Sequence, residues 1–151
     1  MKYLVCVDNS GDWEKALNFS CHSIKKSGGK LALMYVIEPA DFMHWQGVES
    51  IMKEESRKNA EELLSSIGTS VGDEFGLLPE FIVKEGDKVE EIISVANSEA
   101  KIDIIVLGSA PPGKGSNKLV TELTGKLNKN LNVLLTIVPA NLSDESLEKI
   151  I

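Results

Sequence analysis

Five stretches of this chain are rich in apolar residues, above all Val, Ile and Leu: 3–7 (YLVCV), 31–37 (LALMYVI), 80–84 (EFIVK), 103–108 (DIIVLG) and 132–138 (NVLLTIV). Runs of this length and composition read as β-strands. Four of them are near-continuous instead of strictly alternating, which predicts strands covered on both faces and hence a parallel sheet. Between the runs, apolar residues recur at helical spacing. Trp13, Ala16, Leu17, Ser20, Cys21 and Ile24 share one stripe; Ala60, Leu63, Leu64, Ile67 and Val71 share another in the longest segment, which opens with Val48, Ile51 and Met52. Val89, Ile92, Ile93 and Ala96 form a third, and Leu119, Val120, Leu123 and Leu127 a fourth.

Four alternations of strand and helix call for right-handed crossovers, and so for an α/β fold: a three-layer, open, doubly wound parallel sheet of five strands. Helix-end signals agree with that division. Ser10 with Asp12 and Glu14 marks a first helix start, Gly28-Gly29 its end, Asp87 the third start, Gly115-Ser116 the fourth, and Ser143 a short final helix.

At 151 residues, 42% of them hydrophobic, the chain is expected to form a single domain over 1–151 with a core that needs no disulfide or metal. A net charge of −7 with no local basic cluster argues against nucleic acids and anionic membrane surfaces as partners. Cys6 and Cys21 have no CxxC spacing, and the N-terminal run carries neither a signal-peptide core nor a membrane span, so a reducing, cytoplasmic setting is expected. Two histidines leave little material for a metal site or a nucleophile–base pair, and no catalytic residue is assigned.

Ligands of open parallel sheets bind beyond the carboxyl ends of the strands, where strand order reverses. Of the loops at those ends, 108–116 is both long and glycine-rich. Gly108, Ser109, Gly113, Gly115 and Ser116 are candidate nucleotide-binding residues there, since small residues let backbone N–H groups approach an anion at a helix start. Lys114 and Lys118 supply the neighbouring positive charge. The run almost spells a P-loop, but Pro111 and Pro112 remove two donors and the Mg²⁺-ligating hydroxyl is displaced. The loop therefore reads either as a nucleotide cradle or as a plain connection between strand and helix.

From YLVCVDNS to VLLTIVP, the whole chain resembles the universal stress protein family. The most specific matches are VKEGDKVEEII (83–93), similar to a REGDPVEEI-type run, and DIIVLGS (103–109); YVIEP at the end of the second strand adds to them. The resemblance implies the adenine nucleotide alpha hydrolase-like order 3-2-1-4-5, with the switch point between Asp8 and the Gly108 loop. It offers Asp8 as a ribose contact, the backbone near Val36 as an adenine contact, and Gly108 as a loop start. Family members that bind ATP carry a loop with G, two residues, G, nine residues, G and Ser or Thr. Here the second glycine falls on Pro111 and the third on Thr121. The expected cofactor is accordingly none with certainty, with ATP or AMP and Mg²⁺ as the candidates.

Phe42, His44 and Trp45 sit in the 38–50 stretch, as a candidate ligand lid or a hydrophobic plug. In the order 3-2-1-4-5 the last strand is an edge, and an apolar edge invites pairing with a second copy. Val133, Leu134, Leu135, Thr136, Ile137 and Val138 are therefore the candidate homodimer interface, and the resemblance implies such dimers. Taken together, the expectation is a homodimer with a regulatory or protective role in the stress response that binds ATP weakly. The alternatives are an ATP-binding or nucleotide-hydrolysing switch using 108–116, and a module whose 39–47 loop meets an unknown protein partner.

Overall fold

The computed structural model describes residues 1–39, 49–98, 100–111, 118–130 and 132–151, apart from the side chains of 49–51 and 126–130. Five strands, β1 (Lys2–Cys6), β2 (Lys30–Ile37), β3 (Glu80–Glu85), β4 (Ile104–Ser109) and β5 (Leu134–Pro139), alternate with α1 (Glu14–Ser27), α2 (Glu49–Phe75), α3 (Lys88–Ala96) and α4 (Lys118–Asn130). A short α5 (Asp144–Ile150) follows. All pairings are parallel and the order is β3-β2-β1-β4-β5, so β1 is the central strand. Its Val5 faces Leu33 on one side and Val106 on the other.

The period of two along each strand sorts side chains into two cores. Tyr3, Val5 and Val7 join Leu33 and Val106 beneath α1 and α2, where Ala16, Cys21, Ile24, Leu64, Ile67 and Val71 are buried. Leu4, Met34, Ile105 and Leu107 point the other way, against Val89, Ile92 and Ala96 of α3 and Leu123 of α4. The helical stripes thus face the sheet as the spacing predicts. Val48 lies outside the described residues, and Ile51 and Leu127 are among those whose side chains are not described.

Most helix ends follow the sequence signals. The Asp87 carboxylate accepts from the Glu90 N–H at 3.0 Å, and the Ser143 hydroxyl from the Ser146 N–H at 3.1 Å. Gly28, at φ +82°, ends α1 and donates its N–H to the Ile24 carbonyl at 2.7 Å. The start of α1 differs from expectation. Its N-cap is Trp13, which makes no side-chain cap, and Ser10 and Asp12 lie ahead of the helix. The reason is local: the Asp8 carboxylate takes both the Ser10 N–H and the Ser10 hydroxyl, folding 8–10 into a tight turn that delays the helix. The boundaries of β5 are also shifted, because Asn132 and Val133 precede the strand.

Among the described residues, no helix is long and apolar enough to cross a membrane.

Candidate functional site

The strand order puts the reversal between β1 and β4, and the loops at their carboxyl ends open there into a cleft of about 390 Å³. Asp8, Ser10, Asp12 and Trp13 line it from the β1–α1 connection, Gly108 from the end of β4, and Lys88 from the start of α3. A second cleft of about 330 Å³ lies on the β2 side, walled by Asn9, Tyr35, Val36, Ser56 and Asn59. Asp8, Glu38 and Lys88 line both.

Asp8 is half-buried, and both of its oxygens are engaged. Oδ1 accepts from the Ser10 N–H at 2.8 Å and from the Ser10 hydroxyl, while Oδ2 pairs with the Lys88 ammonium at 3.0 Å. Burial works against the charge on this carboxyl, but the Ser10 hydrogen bonds and the Lys88 charge outweigh it and hold the pKa below the usual value. On Lys88, burial opposes the ammonium, yet the hydrogen bond and charge of Asp8, with Glu38 nearby, raise its pKa. Each partner therefore stabilises the ionised form of the other. The neighbouring Cys6 thiol is pushed up to about 12, mainly by burial, and so is a poor nucleophile at neutral pH.

Trp13 fixes the turn from the far side: its Nε1–H donates to the Asp8 carbonyl at 2.7 Å. The same turn lies across the end of β4. A Cβ placed on Gly108 would stand 1.9 Å from the Asp12 carbonyl oxygen, so the lack of a side chain at 108 is what allows this crossing. Gly108 and Ser109 belong to β4, in register with Val138 and Pro139 of β5; they end the strand, and the loop begins after them. Pro111, which has no N–H to offer, follows.

Val36 is buried in β2, beyond the last β1–β2 pair, Cys6–Met34. The Met34 carbonyl accepts from Val7 and the Ile37 carbonyl from Gly86. By the alternation of peptide groups along a strand, the N–H and C=O of Val36 turn to the same side as those of Met34, toward the switch point.

The fold thus gathers Asp8, Val36 and Gly108 around one end of the sheet. Gly113, Gly115 and Ser116, and likewise Phe42, His44 and Trp45, lie outside the described residues. The β5 residues are at one edge of the sheet, beside β4, where Leu134 is 62% and Ile137 39% exposed while Val138 is buried. Sequence reasoning missed Lys88 and named only Lys114 and Lys118 as nearby cations. The available signal was the lysine itself, standing where the REGDPVEEI-type pattern has proline.

Several solved structures share this architecture. The universal stress protein UspA from Lactobacillus plantarum superposes with a TM-score of 0.72 at 14% identity, covering 91% of this chain and 97% of its own. A universal stress protein family protein from Arabidopsis thaliana with AMP bound gives 0.64 at 17%, over 96% and 94%. A universal stress protein in complex with cAMP gives 0.58 at 16%, over 93% and 98%. No curated protein matches the chain. The sequence model of the universal stress protein family matches residues 1–139. With the strand order and switch-point cleft described above, that match over most of its length means that this chain belongs to the universal stress protein family.

Proposed function

We propose that this protein acts in the cytoplasm as a homodimeric regulatory or protective component of the stress response, and that its switch-point cleft does not grip ATP tightly. The observation that carries this reading is the state of Asp8. A ribose hydroxyl arriving there would find most of the roughly four acceptor positions of the carboxylate already taken by Ser10 and Lys88, so little of its hydrogen-bonding capacity is left for a ligand. The cleft around it is also acidic, with Asp12, Glu38, Asp87 and Glu122 in its walls, which disfavours a polyphosphate. Dimerisation through the exposed apolar positions of β5 would cover an edge that otherwise leaves peptide groups unpaired.

A second reading, adenine nucleotide binding, draws support from the orientation of the Val36 peptide groups and from the structural neighbours with AMP and cAMP. Thermal unfolding with millimolar Mg²⁺–ATP separates the two. A micromolar site would stabilise the fold by about 4 kcal/mol at a thousandfold excess of ligand. For a chain of this size that is a rise of roughly 8–16 °C in Tm. The proposal expects a rise of no more than about 1 °C, and the larger shift would overturn it.

A further inference from the structure

We infer that the switch-point site sorts nucleotides by phosphate number, favouring a nucleoside monophosphate over a triphosphate, and that Lys88 sets this preference by meeting the first phosphate. The inference rests on the preceding reading, that ATP is not held tightly, and adds which ligand class the same site accepts.

The two clefts share Asp8, Glu38 and Lys88, so they form the halves of one trough across the end of the sheet, with the Asp8–Lys88 pair at its waist. The halves differ in chemistry. Away from the waist, the β2-side half is lined by the neutral groups of Asn9, Tyr35, Ser56 and Asn59 and by the Val36 backbone. It suits the hydrogen-bonding edge and hydroxyls of a nucleoside. The β4-side half adds the carboxylates of Asp12, Asp87 and Glu122, against one further ammonium among the described residues, that of Lys118, which lies 3.7 Å from Glu122.

A nucleoside seated in the neutral half presents its 5′ phosphate at the waist. There the Lys88 ammonium has three N–H donors and one hydrogen-bonded partner among the described residues, Asp8. It can hold a phosphate oxygen while keeping that pair, and it is the one ammonium among the described residues that offsets the Asp8 and Glu38 carboxylates at the waist. Later phosphates extend past Lys88 toward Asp12, Asp87 and Glu122, carboxylates that outnumber the Lys118 ammonium among the described residues of this half and repel them. A proline at 88 could not supply this charge. Lys88 is thus both the counter-ion of Asp8 and the boundary beyond which added negative charge is penalised.

Isothermal titration calorimetry of the full chain with adenosine, AMP, ADP and ATP in metal-free buffer tests this, using wild type, Lys88→Gln and Lys88→Arg, each first checked by a single cooperative melting transition above the titration temperature. Wild type should bind AMP tightest among the nucleotides, with affinity falling about tenfold per added phosphate. Lys88→Gln should weaken AMP about tenfold or more while leaving adenosine unchanged, and Lys88→Arg should restore AMP binding. The inference is overturned if Lys88→Gln binds AMP as wild type does, if it loses adenosine equally, or if wild type binds none of the four ligands. All three outcomes leave the reading of weak ATP binding standing. Micromolar ATP binding that exceeds AMP binding would remove both.

Discussion

Gly108 offers the sharpest test of how the site is built, because the sequence singles this glycine out for a ligand and the structure gives it a packing task. A methyl group at 108 would lie 1.9 Å from the Asp12 carbonyl oxygen, 3.0 Å from the carbonyl carbon and 3.4 Å from the Trp13 Cα. These are main-chain atoms, so no side chain can rotate away. Restoring an ordinary contact requires the β1–α1 turn to move by more than about 1 Å against the Trp13–Asp8 and Ser10–Asp8 hydrogen bonds. Overpacking of this kind costs about 1–3 kcal/mol, and an unyielding backbone places Gly108→Ala near the upper end. For a chain of this length, that is a fall of about 6–12 °C in Tm. Gly125 supplies the control. It is exposed in the interior of α4, and a methyl group there would meet nothing within 4 Å, so Gly125→Ala should raise stability by roughly 0.5–1 kcal/mol through helix propensity alone. Differential scanning calorimetry of the two variants under one buffer decides the matter. Equal melting temperatures, or a Gly108→Ala protein as stable as wild type, would show that the turn does not press on β4 as described.

Two further outcomes follow from the same structure. Leu134→Lys, at an exposed β5 position, should convert a dimer to monomers in sedimentation velocity and remove any dependence of Tm on protein concentration; a dimer that survives it would place the contact on another surface. The Asp8–Lys88 pair gives a definite pH signature. Asp8 titrates below its ordinary 3.8 in the folded state, so its contribution is complete above that value and lost as pH falls through the folded pKa. Lys88 titrates above its ordinary 10.5, so its contribution is complete below that value and lost as pH rises through the folded pKa. Urea unfolding from about pH 2 to 8 should therefore show a shallower acid limb in Asp8→Asn than in wild type, and superimposable limbs would refute the assignment.

What could be read from the sequence was whatever depends on local order. Strand cores, helical stripes, and the caps at Asp87 and Ser143 each involve neighbours a few residues apart, and hydrophobic period alone identifies the faces that meet the sheet. The strand order came from family resemblance, because periodicity says nothing about which strands are adjacent. The site was legible only in outline. Asp8 and Gly108 could be placed at the ends of their strands, but their surroundings join segments far apart in sequence: Lys88 reaches Asp8 across 80 positions, and the Asp12 carbonyl meets Gly108 through a fold-level crossing that no motif encodes. The misplaced start of α1 has the same origin in miniature. Ser10 has the composition of a cap, and its hydroxyl accepts from the Asp12 N–H at 3.2 Å while donating to Asp8, but these bonds close a turn ahead of the helix and not the helix's own first turn. A glycine or an aspartate in such a chain therefore carries two demands at once, one from the fold and one from whatever binds. The fold's demand must be met first, since a turn that leaves Gly108 or loses the Ser10 bonds no longer presents Asp8 to a ligand at all. That ordering separates the two roles: Gly108 and the Ser10–Asp8 bonds shape the switch point, whereas Lys88, at the head of α3, sets the charge of the cleft without belonging to any of the strands that form it.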